Sequence, residues 1–178
     1  MAKHSLPLSK VYTLLEPGPV VLVSTAGKPW PNIMTMSWHL MMEFEPPMVG
    51  CIISDRNHTF GTLKKSKECV INIPTVALAK QVVGCGNCTS ADTDKFKTFG
   101  LTQEKAALVG APLIAECYAN LECRVVDTRL TNTYCFFVLE VAKAWKDPAV
   151  KAPRTLHHEG SGQFMIAGER IKLRSKMK

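Results

Sequence analysis

The stretch Asn32-Ile33-Met34-Thr35-Met36-Ser37-Trp38-His39 decides the fold, because its side chains alternate between an apolar and a polar set. The two sets are Met34, Met36, Trp38 and Leu40 on one side, and Thr35, Ser37 and His39 on the other. Alternation with a period of two residues predicts one strand over 32–40 with a buried and a polar face. Met34, Met36 and Trp38 then belong to the core or contact a ligand, and the core is favoured for the methionines.

A second polar stretch, Ser54-Asp55-Arg56-Asn57-His58-Thr59, follows an apolar run at 48–53 and leads into a predicted helix. Such a strand-to-helix turn offers backbone N–H groups, the positive end of a helix dipole, two hydroxyls and a guanidinium. Arg56 alone would be an ordinary surface residue, but Ser54 and Thr59 at this spacing favour a phosphate site. A polar strand face beside an anion-binding turn predicts a ligand with a flat polar ring and a phosphate, and a flavin is the candidate.

Length and composition indicate one folded domain over residues 1–178, with 46% hydrophobic and 21% charged residues. No apolar run approaches the length of a membrane span, and residues 1–7 contain no signal-peptide core, so we expect a cytoplasmic protein without a membrane partner. The net charge is +7, and part of it lies in a basic tail at 169–178. A solvated tail or charge-protected edge strand is favoured over a nucleic-acid arm or a site attracting an anionic dinucleotide.

The seven cysteines are odd in number and mostly lie within apolar runs, which predicts buried free thiols in a reducing compartment. Only Cys85-Gly86-Asn87-Cys88 has the C-x-x-C spacing. Loop cysteines without essential chemistry are the favoured interpretation, and a redox disulfide or a metal site remains open. A zinc site would need a second pair of ligands, so no metal is predicted.

Strands outnumber helices along the chain. The predicted strands are 20–25, 32–40, 48–54, 69–73, 113–127 (bent near 119–120) and 133–145. The predicted helices are 59–66, 76–83 and 92–98, the last capped by Asp92 or Thr93, and 8–15 is a short amphipathic segment. The predicted loops are 43–47, 84–91, 101–112 and 154–164. Without β-α-β alternation or a G-x-G-x-x-G turn, a doubly wound fold is disfavoured. The pattern predicts a mainly β protein, a closed or split antiparallel, Greek-key-like barrel with peripheral helices.

Five segments in this order resemble the flavin reductase-like, FMN-binding split-barrel family, and within it the flavoredoxin-type proteins. They are 17–23, 32–39, Ser54-x-Arg56-x-x-Thr59, Asp94-Lys95-Phe96 with Gly100-Leu101, and His157-His158-x-Gly160-x-Gly162-x-Phe164. The resemblance covers about 17–168. It implies a homodimer of split barrels, each holding non-covalent FMN near the interface.

The resemblance also implies the function, an NAD(P)H:flavin oxidoreductase that passes a hydride from NADH or NADPH to FMN. The alternative is a flavoredoxin-type electron carrier reduced by a redox protein partner. The implied flavin-ring residues are Asn32, Ile33, Met34, Thr35, Met36, Ser37 and Trp38. Ser54, Arg56 and Thr59 would hold the phosphate with help from His58, Asp94-Lys95-Phe96 would close over it, and His157 and His158 would lie where nicotinamide approaches.

Hydride transfer at a flavin needs binding and orientation more than a catalytic side chain. This explains why no nucleophile–base pair stands out in the sequence. Ser37 and His39 share a strand face but lack an acid and a nucleophile turn, which disfavours a hydrolase. His39 is either a structural histidine or a proton donor to the flavin. Because adjacent residues of an extended segment point apart, His157 and His158 are not expected to bind a metal together.

Overall fold

Eleven strands and four short α-helices make up residues 18–174, the part of the chain that the computed structural model describes. The strands are β1 (Val21–Thr25), β2 (Asn32–Met36), β3 (His39–Phe44), β4 (Pro47–Ile52), β5 (Glu68–Ile73), β6 (Gln103–Glu104), β7 (Leu113–Ile114), β8 (Ala119–Asp127), β9 (Phe136–Lys146), β10 (Leu156–Gly160) and β11 (Gln163–Ile166). The helices are α1 (His58–Ser66), α2 (Ala79–Gly86), α3 (Lys95–Thr98) and α4 (Thr131–Tyr134), with a 3-10 turn at Val76–Leu78 before α2.

The main sheet has seven antiparallel strands in the order β2-β1-β5-β8-β9-β4-β3. Only Ser37 and Trp38 separate β2 from β3, although these strands lie at opposite edges of the sheet. The two edges must therefore meet at this point, where the N–H of Ile52 donates to the carbonyl of Trp38 at 3.0 Å. A sheet whose edges meet at one end and diverge at the other is a split barrel, so the predicted fold class is confirmed.

The prediction of one strand over 32–40 is wrong, because the chain changes sheet edge after Met36. Alternation holds within β2, where Met36 lies in the barrel core and Ile33 is buried on the opposite face. Beyond the break the apolar face is not buried, since Trp38 is 55% exposed and Leu40 is 53% exposed. The two-residue alternation does not reveal that the chain crosses from one sheet edge to the other, because both strands continue the same pattern.

Two hydrophobic clusters lie on either side of β1. Val21 and Val23 point into the barrel, and Leu22 packs on the outside with Val82 of α2. Burial on both faces explains why β1 reads as an uninterrupted apolar run. The outer cluster fixes α2 against β1 and β2, and this contact positions the site.

Four loop and strand boundaries differ from the sequence prediction. Residues 43–47 belong mostly to the β3–β4 hairpin, and 113–127 is divided into β7 and β8. Strand β9 begins only at Phe136, because Cys135 takes a left-handed conformation that ends α4. Residues 154–164 form most of the β10–β11 hairpin, whose turn uses positive φ angles at Ser161 and Gly162.

Helix α1 lies as predicted, but α2 runs on to Gly86 and therefore includes Cys85, which the sequence placed in a loop. Asp94, rather than Asp92 or Thr93, caps α3, since its carboxylate accepts the N–H of Lys97. The amphipathic segment at 8–15 lies outside the described residues. In the described part, no helix combines the length and apolarity needed to cross a membrane.

Glu122 of β8 is a buried carboxylate that anchors the segment before β7. It accepts the N–H groups of Ala107 at 3.0 Å and Leu108 at 2.6 Å, and the indole N–H of Trp145 at 2.7 Å. Burial raises the pKa of Glu122, but these donors outweigh burial and hold the pKa below its ordinary value.

Candidate functional site

One cleft follows β2 from the turn after β4 to the β10–β11 hairpin. Three adjoining hollows share Thr35 and form it. The end beside the turn after β4, where the sequence predicts a phosphate, is called the phosphate end and has an empty volume of about 440 Å³. Its lining residues are Asn32, Met34, Thr35, Arg56, Asn57, His58, Thr59, Cys85, Gly86, Cys88, Thr89, Ser90 and Lys95. The remaining part of the cleft, where the sequence predicts the flavin ring, is called the ring end. Its lining residues include Ser37, Trp38, Ser54, His158 and Phe164.

The phosphate end is built on the N-terminus of α1. Asn57 stands at the N-cap position, and no side chain of the described residues caps this helix. Of the first-turn N–H groups, that of Phe60 donates to the carbonyl of Asn57 at 3.0 Å, which leaves those of His58 and Thr59, two residues that line the cleft. Arg56 is exposed beside them, and its backbone N–H donates to the hydroxyl of Ser54 at 3.3 Å, which shapes the turn.

Thr59 is held by a buried amide from β2. The Nδ2 of Asn32 donates to the Thr59 hydroxyl oxygen at 2.7 Å and to that of Thr25 at 3.3 Å. Because the Thr59 oxygen accepts this bond, its own proton is left to donate to a ligand. Asn32 thus orients a hydroxyl of the phosphate end.

Ser90 is a site residue that the sequence did not identify. Ser90 is one of the residues that line the cleft, and its hydroxyl is buried and has no hydrogen-bond partner among residues 18–174. Its carbonyl accepts the indole N–H of Trp30 at 2.9 Å, which fixes the backbone there. A buried hydroxyl without a partner costs free energy unless a ligand satisfies it. The only sequence signal was the hydroxyl pair Thr89-Ser90 directly after the C-x-x-C segment.

Lys95 lies in the cleft wall and joins β2 to α2. Its side chain is 4% exposed, and Nζ donates to the carbonyls of Ile33 and Cys85, each at 2.7 Å. Burial lowers the pKa of Lys95, and the nearby sulfurs of Cys88 and Cys85 oppose this lowering. The ammonium therefore stands at the phosphate end as a fixed donor, while its neighbours Asp94 and Phe96 do not line the cleft.

Those two neighbours have structural contacts instead. Asp94 caps α3 through its carboxylate, and Phe96 is 3% exposed within the outer core cluster. A segment that is contiguous in sequence therefore sends only one of its three side chains to the cleft, because α3 turns the others away.

The ring end is less polar than the strand pattern suggested. The Thr35 hydroxyl donates to the carbonyl of Val82 at 2.6 Å, so this proton is already engaged. Met34 lies at the cleft wall, while Met36 is in the barrel core and touches the cleft only at its edge. Ser37 and Trp38 line the bend between β2 and β3.

Only one of the two adjacent histidines faces the cleft. His158 lines it with Phe164, and their ring centroids are 5.3 Å apart. A ring nitrogen of His157 lies 2.9 Å from the hydroxyl of Thr155. A ring nitrogen of His39 lies 2.7 Å from the carbonyl oxygen of Pro19. This contact favours a structural role for His39 over that of a proton donor to the flavin.

Both cysteines of the C-x-x-C segment line the phosphate end, and all seven thiols are free. Among the described residues, no three or more His, Cys, Asp or Glu side chains are grouped closely enough to hold a metal ion.

The cleft is built for an anion. None of the described residues that line its phosphate end is Asp or Glu, while Arg56 and Lys95 bring positive charge. The uncapped N-terminus of α1, the Thr59 proton and the unpartnered Ser90 hydroxyl add neutral donors. This donor set fits a phosphate monoester.

The fold agrees with the comparison to known families. The model of the flavin reductase-like domain matches residues 14–164, so the chain belongs to the flavin reductase-like domain family. The resemblance inferred from the five sequence segments is thereby confirmed.

Several relatives and solved structures support this membership. The chain is 31% identical over 172 residues to the uncharacterized protein YddH of Escherichia coli, covering 89% of this chain and 91% of the relative. An uncharacterized protein of Pyrococcus abyssi is 33% identical over 167 residues, with 90% and 96% covered. The crystal structure of an FMN-binding domain of a flavin reductase-like enzyme from Shewanella baltica OS155 is 30% identical, with 96% and 97% covered and a TM-score of 0.83.

The flavoredoxin of Desulfovibrio vulgaris (Miyazaki F) is 20% identical, with 99% of this chain and 98% of that chain covered and a TM-score of 0.85. At this level of identity the likeness shows the fold alone.

Proposed function

We propose that this protein binds FMN in the cleft along β2 and is an NAD(P)H:flavin oxidoreductase. The observation that carries the proposal is the phosphate end, where a buried unpartnered hydroxyl, a guanidinium and a helix N-terminus converge in a cleft wall without carboxylates. Membership of the flavin reductase-like family and the FMN-binding neighbour from Shewanella baltica support it.

The residues divide the binding between the two ends of the cofactor. Arg56, Thr59 and Ser90 would hold the phosphate, with the first-turn N–H groups of α1 beside them. Lys95 would add charge to the same end without moving, because two carbonyls fix its ammonium. A flavin supplies the capacity to accept a hydride and to release its electrons to a second acceptor.

The edge position of β2 explains how the ring would be recognised. The Ile33 carbonyl points away from β1, since it accepts from Lys95, and strand geometry turns the N–H and C=O of Thr35 the same way. These main-chain groups lie at the cleft that Thr35 lines, and they match the donor and acceptor pattern along the pyrimidine edge of a flavin. Ser37, Trp38, His158 and Phe164 would flank the ring end, where nicotinamide approaches.

Anaerobic spectroscopy tests the function directly. The purified protein loaded with FMN should show bands near ~450 nm, and NADH or NADPH should bleach them. If the protein retains FMN but neither nucleotide bleaches it at a useful rate, the flavoredoxin-type carrier is the correct function. If the protein binds no FMN, both functions are refuted.

We also propose that two copies of this chain associate through β3. This edge strand exposes apolar side chains, with Leu40 53%, Met42 46% and Phe44 87% exposed, although a bulge between Met41 and Glu43 interrupts the alternation of its faces. An exposed apolar edge strand promotes aggregation unless a partner covers it, and a second copy beside β3 would stand next to the ring end of the cleft. Sedimentation should give a dimer that Phe44→Glu dissociates; a monomeric wild-type protein at micromolar concentration would refute the association.

A further inference from the structure

The Cys85-Gly86-Asn87-Cys88 segment is not used by the proposed function, although both of its cysteines line the phosphate end of the cleft. Cys85 lies in the last turn of α2, and Cys88 follows two residues after the helix end. Asn87 keeps helical backbone angles, φ −91° and ψ −2°, so the two cysteines stand one turn apart. At that spacing their Cβ atoms are about 5–6 Å apart.

This geometry is close to that of a disulfide. A disulfide needs Cβ atoms about 3.5–4.5 Å apart, so closure requires a movement of roughly 1–2 Å. The movement falls at the C-terminal end of a helix, where few backbone hydrogen bonds must be given up. Cys88 donates only a weak sulfur hydrogen bond to the carbonyl of Gly84, at 3.4 Å, and this bond is easily broken.

The two thiols differ in access. Cys85 is 1% exposed, whereas Cys88 is partly exposed at the cleft. The ammonium of Lys95 is near both, since it donates to the Cys85 carbonyl and both sulfurs interact with its charge. Access therefore makes Cys88 the thiol that a dissolved reagent meets first. Burial raises the pKa of Cys85 to about 12, with Lys95 opposing the rise, so Cys85 is the slower thiol.

We propose that Cys85 and Cys88 are a reversible dithiol–disulfide pair that exchanges with disulfides of small thiols, with Cys88 attacking and Cys85 resolving. The Cys88 thiolate attacks one sulfur of the small disulfide, whose S–S bond breaks, and the released thiolate takes up the proton that Cys88 lost. Cys85 then attacks the Cys88 sulfur, the mixed disulfide breaks, and the second small thiol leaves with the proton of Cys85. Two protein thiols lose two electrons, and one small disulfide becomes two thiols.

The other cysteines provide internal controls. Cys51, Cys69 and Cys123 are buried in the barrel core and have no path to a soluble disulfide. Cys135 matches the partial exposure of Cys88 but has no second cysteine within one turn. It can therefore form a mixed disulfide, but it has no neighbouring thiol to resolve it.

The test uses the full-length reduced protein without FMN, oxidised by glutathione disulfide, then denatured, alkylated and analysed by intact mass and peptide mapping. Of the seven cysteines, the pair should be lost from alkylation, and peptides joining Cys85 to Cys88 should be lighter by two hydrogen atoms. Cys85→Ser should accumulate the glutathione adduct on Cys88, and Cys88→Ser should leave Cys85 unmodified. Cys135→Ser should lose only the adduct at position 135 and still form the Cys85–Cys88 disulfide.

A glutathione adduct that persists on Cys88 of the wild-type protein, or a Cys88 that never reacts, would overturn the proposal. Both results are read from the wild type, so they stand even if a variant fails to fold. Saturating FMN gives a second readout, because a phosphate seated in this cleft should slow modification of Cys88 and leave that of Cys135 unchanged. Disulfide formation that FMN does not slow would keep the dithiol pair and argue against the cofactor placement, so the two proposals fail separately.

Discussion

Replacement of Ser90 by Ala should raise the stability of the protein without cofactor and lower its affinity for FMN. The Ser90 hydroxyl is buried without a partner among the described residues, and such a group costs about 1–3 kcal/mol. Removing it should raise the midpoint of thermal unfolding by about 2–4 °C per kcal/mol for a chain of this size. The backbone should not move, because the carbonyl of Ser90 stays bonded to Trp30.

The same substitution would remove the donor that Ser90 is proposed to offer to the phosphate. A hydrogen bond to a charged group contributes about 1.5–3 kcal/mol, so the Kd for FMN should rise about 10- to 150-fold. Riboflavin lacks the phosphate, and its Kd should be unchanged. Unfolding is measured by calorimetry on the cofactor-free protein, and both Kd values by quenching of flavin fluorescence.

Ser24→Ala is the matched control. Ser24 is also a buried serine, but its hydroxyl donates to the carbonyl of Pro112 and accepts from the amide of Asn72. Its removal should lower the unfolding midpoint, which is opposite in sign to the effect of Ser90→Ala, and should leave FMN affinity unchanged. A Ser90→Ala protein that is less stable and binds FMN as the wild type does would refute the reasoning.

Three further predictions concern charged groups. Arg56→Ala should raise the Kd for FMN about 10- to 150-fold without changing that for riboflavin or the unfolding midpoint, because Arg56 is exposed; equal losses for both ligands would exclude a phosphate contact. Lys95→Met should destabilise the cofactor-free protein by about 2 kcal/mol or more, because the carbonyls of Ile33 and Cys85 lose their buried donor. Denaturant titration measures this, and unchanged stability would show that Lys95 does not hold β2 against α2. Glu122→Gln should lower the free energy of unfolding by about 1.5–3 kcal/mol at pH 7. Because the pKa of Glu122 is depressed in the folded protein, the stability difference from wild type should be complete above the unfolded pKa of about 4.3 and shrink as the pH falls through the folded pKa. A stability difference that is constant with pH would contradict this.

The features that the sequence predicted well depend on residues that are close together along the chain. Strand β1 is a continuous apolar run, and α1 follows a turn whose Arg56 and Thr59 are close in sequence and both line the phosphate end. Ser54 of the same turn was predicted to hold the phosphate but lines the ring end instead. The positions of Arg56 and Thr59 at the cleft therefore needed no knowledge of the remaining chain. The long hydrophobic strands gave the fold class for the same reason.

The features that sequence missed depend on contacts across the chain. Lys95 reaches Ile33 over 62 positions, and the Thr35 hydroxyl is engaged by Val82 over 47 positions. Ser90 is buried, and its carbonyl accepts the indole N–H of Trp30 over 60 positions. No local pattern distinguishes such a hydroxyl from that of any loop serine, so the unpartnered atom could be found only in three dimensions.

The crossing from β2 to β3 links these observations. A sheet of seven strands that closes through a two-residue connection leaves β2 as an edge strand, with one row of main-chain groups directed away from β1. In an ordinary sheet this row would be a hazard for aggregation. Here the end of α2, the N-terminus of α1 and Lys95 enclose part of it, so the unpaired edge becomes the wall of a cleft. Recognition of a flat polar ring by that wall would depend on the conformation of the Thr35 backbone, and therefore on Lys95 holding β2 in place, more than on the identity of the side chains along the strand.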